Sequence, residues 1–426
     1  MPQNMYEILS ERGFVEWCSH PEELGEKMKK EIVTGYVGFD PSADSLHIGN
    51  MVPIMGLAWL QRCGHKPLVL AGDGTGLIGD PSGKTKERQL LSVERVAHNA
   101  ECIKKQLAQF VDFDCGENSA IMANNYSWLG KIGFIEFLRD TGKYFPVNVL
   151  INREYVRSRI DDPDKSITYT ELSYILLQAY DFDHMYKEFN CCLQMGGNDQ
   201  QGNIIGGIDL IRKRQGGQGY GMTFSLLLTA GGQKFGKTEE GAVYLDPEKT
   251  SPYKFYQFWV NADDRDIEKL HRIYSFAALD EIASLIAAHE AKPELREAQK
   301  KLAWEMTERV HGRDVAVRAR GASGVLFGET DVKSASAELL DTLAAEIPTA
   351  DISTPLPLPL TEALVASGGV ASKGEARRKI REGAIYVNGE KRGEEGAQIE
   401  SGDLLPGGYV QLRVGKRDFR LLRCNR

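Results

Sequence analysis

Two short apolar runs, set one crossover apart, constrain this chain most. Tyr36-Val37-Gly38-Phe39 reads as a buried strand, and Asp40-Pro41 breaks it. Apolar spacing through Leu57, Trp59 and Leu60 then predicts a helix that stops at Gly64, with Asp44 or Ser45 as its cap. Pro53 fits inside that helix only if the helix starts late or kinks. Pro67-Leu68-Val69-Leu70-Ala71 is the next strand. A strand, a helix and a strand in that order make a parallel pair, because the helix must carry the chain back to the same edge. The expected class is therefore α/β, with a Rossmann-like parallel sheet in its first part.

A second junction of the same kind follows. Cys191-Cys192-Leu193-Gln194-Met195 is apolar enough for a strand, Gly196-Gly197 turns the chain, and Asn198-Asp199-Gln200 opens a helix toward Ile211. Ligands of such sheets sit at the carboxyl ends of the strands, where both junctions would lie. After about Ser251 glycine thins out, and Lys269 to Ala322 takes on helical spacing in Ala, Glu, Leu, Lys and Arg. Ile352 to Pro359 is too rich in proline for a helix or a central strand. The expected organisation is a catalytic α/β domain over 1–228, a loop and α-helical domain over 229–345, a linker over 346–359, and a compact α+β module over 360–426.

Charge supports that division. The chain of 426 residues carries a formal net charge of −8, but unevenly. Pro355 to Arg426 holds 13 Lys and Arg against 9 Asp and Glu, a net +4, leaving −12 on the remainder. A basic tail on an acidic body is either a module that faces something anionic or a solvated surface. The seven cysteines form no C-x-x-C pair, which suits small core residues in a reducing cytoplasm better than zinc or redox chemistry. No metal site is expected. Met1 to Phe14 lacks the apolar core of a signal peptide, and no run approaches the ~18 apolar residues of a membrane span.

Three groups of residues carry chemistry. In Asp44-Ser45-Leu46-His47-Ile48-Gly49-Asn50, a histidine stands at a helix start that can face the sheet's ligand edge. Gly49 has no side chain to keep a flat ligand off the backbone. A helix start also favours phosphate. In Gly231-Gly232-Gln233-Lys234-Phe235-Gly236-Lys237-Thr238, two lysines three apart sit in a glycine-flanked loop, where they can follow phosphates of growing charge. Taken singly, His47 also reads as a structural histidine and the loop as an exposed hairpin. Tyr174, Gln178 and Asp181 fall at i, i+4 and i+7, on one face of a helix. A phenol, an amide and a carboxylate do not make a core stripe; they form either a solvated face or a cradle for an ammonium group and a hydroxyl.

Together these elements resemble the class I aminoacyl-tRNA synthetases, whose H-I-G-H and K-M-S-K-S signatures stand here as His47-Ile48-Gly49-Asn50 and Lys234-Phe235-Gly236-Lys237-Thr238. Asn50 replaces the second histidine; its amide can still donate a hydrogen bond, without charge. The run Tyr174-Ile175-Leu176-Leu177-Gln178-Ala179-Tyr180-Asp181 is similar to the tyrosine-binding helix of bacterial tyrosyl-tRNA synthetases. Thr75 to Lys84, Asn124-Asn125-Tyr126 and Gly196 to Gln200 follow in that family's order.

The resemblance implies tyrosine activation with ATP and transfer to tRNA(Tyr). It puts His47, Asn50, Lys234, Lys237 and Thr238 at the phosphates, and Tyr36 and Asp181 at the substrate hydroxyl. Tyr174 and Gln178 fall at the α-amino group, with Asp80 and Gln200 beside them. Gly38, Asp40 and Gly49 belong to the adenylate, Asp199 to the ribose, and Lys84 and Arg88 to pyrophosphate. ATP with Mg²⁺ is implied as substrate, with no tightly bound cofactor. A homodimer is implied too, with a face that includes Tyr126 to Phe145, where Trp128, Ile135, Phe137 and Leu138 read as either core or interface. The tail resembles an alpha-L RNA-binding module. Its helix after Ser372 would set Lys373, Arg377 and Arg381 on one face, with Arg378 beside them, against RNA phosphates. Arg212-Lys213-Arg214 is a second basic patch, or a plain solvated face. Two rivals stand beside this reading: a tryptophanyl-tRNA synthetase, and a non-catalytic RNA-binding relative. Tyr36 with Asp181 speaks against the first, and His47 with both lysines against the second.

Overall fold

The structure, a computed structural model, describes residues 2–81, 91–238, 241–415 and 418–424. It divides into two compact units. The first comprises Met1–Thr250 with Asn261–Leu302, the second Ser251–Val260 with Ala303–Arg426.

The first unit is built on a six-stranded sheet. Its strands are β1 (Val15–Cys18), β2 (Thr34–Phe39), β3 (Lys66–Ala71), β4 (Ile121–Asn124), β5 (Cys191–Gly197) and β6 (Tyr220–Phe224), in the order β1-β6-β5-β2-β3-β4. β1 runs antiparallel to β6 at one edge, and every other neighbouring pair is parallel. The helices α1 (Met51–Arg62), α2 (Val93–Leu107), α3 (Tyr169–Phe189) and α4 (Gln201–Gln215) lie between the parallel strands in sequence. Central strands covered on both faces need apolar residues throughout. Accordingly Leu68, Val69 and Leu193 are fully buried. From the neighbours β2 and β5 the chain proceeds in opposite directions, to β3 and to β6. That switch of direction opens a crevice at the carboxyl ends of both strands.

Asp44 and Ser45 do not cap α1, contrary to expectation. A single 3₁₀ turn, Ile48–Asn50, intervenes and α1 starts at Met51. Pro53 is the reason: it now falls in the first turn, where its missing N–H would have had no partner. His47 is thereby held just ahead of the helix. The lysine-bearing loop closes with the short pair β7 (Lys237–Thr238) and β8 (Gly241–Ala242).

The second unit takes α5 (Pro252–Val260), α6 (Arg313–Leu326) and α7 (Ala337–Glu346). Segment 229–345, read above as one helical domain, is therefore shared. Helices Ile267–Tyr274 and Leu279–Ala291 lie in the first unit, while Phe255, Tyr256 and Trp259 bury α5 in the second. The proline-rich stretch contributes β9 (Thr349–Ile352) and β10 (Leu358–Pro359). β9 is an edge strand that ends before Pro355, so the prolines cost the ladder nothing. After α8 (Leu360–Ala366) and α9 (Lys373–Arg381) come β11 (Ile385–Val387), β12 (Glu390–Lys391), β13 (Gln398–Ile399), β14 (Tyr409–Val414) and β15 (Asp418–Cys424). The sheet order is β12-β11-β14-β15-β9. Asn388 and Gly389 join β11 to β12 with φ of 47° and 81°, the two left-handed residues of a tight hairpin turn. Ala376 and Ile380 seat α9 on the core formed by Ile385, Val387, Val410 and Leu412. Among the described residues no helix is long and apolar enough to cross a membrane.

Candidate active site

Polar groups converge where β2, β3, β4 and α3 meet at the carboxyl edge of the sheet. The face of α3 that carries Tyr174 and Asp181 is the interior one, not a solvated one: these residues are only 5 % and 1 % exposed. They escape the cost of burial because partners from other elements meet them. The Tyr174 hydroxyl donates to Asp40 Oδ2 at 2.9 Å, and Thr75 Oγ1 donates to Asp40 Oδ1 at 2.8 Å. Gly72 must be glycine for this, since a Cβ there would stand 2.4 Å from Asp40 Oδ1 and 2.6 Å from Thr75 Oγ1. Asn125 Nδ2 bonds both Thr75 Oγ1 (3.0 Å) and Asp181 Oδ2 (2.8 Å), and Trp128 Nε1 donates to Asp181 Oδ1 at 2.7 Å.

One turn along, Gln178 Nε2 donates to Gln200 Oε1 at 3.2 Å, and Asn203 Nδ2 bonds Gln178 Oε1 and Gln200 Oε1 at 2.9 and 3.1 Å. Gln200 Nε2 in turn reaches Asp80 Oδ2 at 2.7 Å and Asp199 Oδ2 at 3.1 Å. Gly196 and Gly197 leave room for Gln200 and Asp199, whose side chains lie 3.1 and 2.6 Å from where Cβ atoms would stand. Tyr36, Tyr174, Gln178, Asp181, Asp40, Asp80, Gln200 and Asp199 are thus gathered along one crevice. Gly38 is the one exposed position in otherwise buried β2, an open patch of backbone beside them.

Two titratable groups, Tyr36 and Asp181, are buried near each other at the floor of this crevice. The Tyr36 side chain is 1 % exposed, and its hydroxyl has no hydrogen-bond partner among the described residues. Burial first, then the nearby Asp181 charge, raise its pKa well above the ordinary value. Asp181 is itself pushed up to about 7 by burial and by Asp40, against the lowering effect of its bonds to Asn125 and Trp128. Each carboxylate oxygen can accept more than one bond, so Asp181 retains capacity for a further donor.

The second cluster pairs His47 with the lysine loop. Ile48 N donates to Val243 O at 2.9 Å and Leu245 N to Leu46 O at 2.9 Å, so the chain after the loop lies against the chain before the helix. Gly236, at φ 91°, packs on the same turn: a Cβ there would come within 2.8 Å of Gly49 N. Gly49 is required for a reason the sequence did not reveal. Its Cβ would stand 2.8 and 2.9 Å from the His47 ring atoms Cε1 and Nδ1. Asn50 accepts from His47 N at 3.0 Å through Oδ1, which leaves its amide N–H groups as donors. Lys234 is exposed. Lys237 and Thr238 form β7, and their side chains lie outside the described atoms, as do Lys84 and Arg88 altogether.

Sequence reasoning missed Thr75, Asn125, Trp128 and Asn203 as parts of the site. The Asn124-Asn125 doublet ending β4 was a usable signal, since it falls at the carboxyl edge. Trp128 is interior at 8 % exposure, whereas Ile135 is 74 % exposed, Leu138 lies at the surface and Phe137 is half-buried. In the basic patch, Arg214 pairs with Asp183 at 2.9 Å and Arg212 with Asp209 at 3.1 Å. In the second unit Lys373, Arg377, Arg378 and Arg381 are all exposed. Lys373 pairs with Glu362 and Arg381 with Glu395, both at 2.7 Å, surface contacts of small energetic weight.

Residues 28–328 match the family described as tRNA synthetases class I (W and Y), and residues 339–422 match the tyrosine–tRNA ligase SYY-like C-terminal domain. The chain is 48 % identical over 423 residues to a tyrosine–tRNA ligase of Anaeromyxobacter dehalogenans, spanning 99 % of each. It is 44 % identical over 421 residues to tyrosine–tRNA ligase 1 of Bacillus subtilis, covering 98 % of this chain and 99 % of that one. Among solved structures, a C-terminally truncated mitochondrial tyrosyl-tRNA synthetase of Aspergillus nidulans is similar with a TM-score of 0.69 and 28 % identity, over 76 % of this chain and 94 % of that one. With both domains matched and the relatives covered end to end, the chain belongs to the class I tyrosyl-tRNA synthetases, the tyrosine–tRNA ligases.

Proposed function

We propose that this tyrosine–tRNA ligase binds L-tyrosine with its phenol hydroxyl between Tyr36 and Asp181 and its α-ammonium group near Tyr174, Gln178, Asp80 and Gln200. The buried Tyr36 hydroxyl beside Asp181, which has no hydrogen-bond partner among the described residues, carries this reading. A buried polar group without a partner is costly, and a ligand hydroxyl in that place gives Tyr36 an acceptor and Asp181 a donor. Tryptophan has no hydroxyl to offer there.

The reaction has two steps. The tyrosine carboxylate attacks the α-phosphate of ATP and pyrophosphate leaves. A ribose hydroxyl of the terminal adenosine of tRNA(Tyr) then attacks the acyl carbon of the adenylate, and AMP leaves. Such chemistry needs positioning and charge stabilisation more than covalent help. His47, the Asn50 amide, Lys234, Lys237 and Thr238 attend the departing phosphates, with Lys84 and Arg88 toward pyrophosphate. Gly38, Asp40 and Gly49 border the adenylate, and Asp199 the ribose. ATP enters as its magnesium complex, so the ion arrives with the substrate. Lys373, Arg377, Arg378 and Arg381 meet RNA phosphates. Phe134, Ile135 and Val147, each more than 60 % exposed, are the apolar centre of a face that pairs two copies of the chain. The enzyme works in the cytoplasm.

Replacing Asp181 with alanine tests the pocket. Tyrosine-driven exchange of pyrophosphate into ATP should be lost while the circular-dichroism spectrum stays that of the wild type. Undiminished exchange would remove Asp181 from the hydroxyl role.

A further inference from the structure

Helix α2 lies outside the signature segments, yet two of its side chains grip the chain just ahead of His47. Asn99 and Gln106 are seven residues apart, two turns of helix, and so share a face. Asn99 Nδ2 donates to Pro41 O at 2.9 Å. Gln106 uses both ends of its amide: Oε1 accepts from Leu46 N at 2.8 Å, and Nε2 donates to Ser45 Oγ at 3.0 Å. Ser45, 4 % exposed, is saturated. Its hydroxyl donates to Leu46 O at 2.7 Å and also accepts from Asp246 N at 3.2 Å. One proton and two lone pairs are all a serine hydroxyl has.

Asp246 follows directly on Val243, Tyr244 and Leu245, the strip that returns from the lysine loop and lies against Leu46 and Ile48. Val243 N donates to Gly236 O, inside the loop itself, at 3.2 Å. A path of hydrogen bonds therefore runs from Gln106 through Ser45 to Asp246, continues along the backbone to Val243, and ends in its bond to Gly236. It sets the His47 turn against the base of the loop that carries Lys234. The side-chain bonds described above for the tyrosine pocket run instead among α3, β4, Trp128 and Asp40.

We propose that Gln106 and Ser45 are positioning residues for adenylate formation, holding His47 and the lysine loop in register for the phosphates. The inference rests on the reading that His47 and Lys234 act at those phosphates. Misplacement by about 1 Å in such a site costs on the order of 10²-fold in rate.

The test is single-turnover formation of tyrosyl-adenylate by the full-length chain, with the dissociation constant of tyrosine measured separately. Gln106→Leu and Ser45→Ala should each slow the chemical step by about 10- to 100-fold and leave tyrosine affinity within about twofold. Gln106→Glu keeps the acceptor for Leu46 N and loses the donor to Ser45, so it should fall between wild type and Gln106→Leu. It also serves if Gln106→Leu fails to fold. In the double variant Gln106→Leu with Lys234→Ala, the two losses should combine to less than their product, because both act on one arrangement. A wild-type rate in Gln106→Leu and Ser45→Ala would overturn the proposal. So would a loss of tyrosine affinity equal to the loss of rate, or full multiplicativity with Lys234→Ala. If Lys234→Ala alone leaves the rate unchanged, the phosphate role of the loop fails. If it is slow while Gln106→Leu is fast, only the positioning role fails.

Discussion

Replacing Tyr36 with phenylalanine should move stability and affinity in opposite directions. The substitution removes one oxygen from a side chain that is 1 % exposed and whose hydroxyl has no hydrogen-bond partner among the described residues. An unsatisfied buried hydroxyl costs about 1–3 kcal/mol, so the free protein gains roughly that much stability when it is deleted. The same energy is what tyrosine recovers on binding, when its own hydroxyl completes the pairing. The variant should therefore lose about 1–3 kcal/mol in tyrosine activation, or roughly 5- to 150-fold in kcat/KM. Phenylalanine leaves the Tyr36 hydroxyl as it found it, so its kcat/KM should hardly move. Urea unfolding of the free protein, followed by tryptophan fluorescence, reads the first effect. Pyrophosphate exchange driven by each amino acid reads the second. A destabilised variant, or equal losses with tyrosine and phenylalanine, would refute the reasoning and leave Tyr36 a mere packing residue.

Four further outcomes are expected. Gly49→Ala places a methyl group within 3 Å of the His47 ring, which must move; adenylate formation should slow by about 10²-fold at unchanged tyrosine affinity, in rapid-quench measurements. With Asp181 pushed up to about 7, the ionised acceptor is lost as pH falls below that value, so tyrosine affinity should decline up to tenfold per unit below pH 7 in equilibrium titrations. The same shift fixes a stability slope: between the unfolded carboxyl's value of about 3.9 and about 7 the folded state holds a proton that the unfolded chain has released, so the free protein should weaken as pH rises through that window. Finally, Lys373, Arg377 and Arg381 changed together to alanine should weaken tRNA binding and flatten its salt dependence by about 0.7–0.9 per lost phosphate contact, with pyrophosphate exchange untouched.

The sheet was legible from the chain because central parallel strands carry apolar runs, as β2, β3 and β5 do at residues 36–39, 67–71 and 191–193. The start of α1 was not, since Asp44 and Ser45 are ordinary capping residues and only Pro53 hinted at a later start. Instead, Asp44 meets Arg95 and Lys249, and Ser45 joins Gln106 and Asp246, partners far away in sequence. The site divides likewise. Tyr174, Gln178 and Asp181 could be found because one helix carries all three at helical spacing. Thr75, Asn125, Trp128 and Asn203 could not be placed, because each matters only through a bond to a residue on another element. Two glycines also make room for a neighbouring side chain, Gly49 for His47 and Gly72 for Asp40, a demand that only the folded contacts reveal.

The central claim is that the floor of this pocket is built for a phenol hydroxyl. Pyrophosphate exchange by the wild-type chain, compared across tyrosine, phenylalanine and tryptophan, tests it most directly. A site that pairs a hydroxyl rejects the analogue lacking one by about 10⁴–10⁵, a range for which tyrosyl-tRNA synthetases are themselves the reference case. Exchange with tyrosine alone, and a margin over phenylalanine of that order, is the predicted result. Comparable exchange with tryptophan or phenylalanine would contradict it.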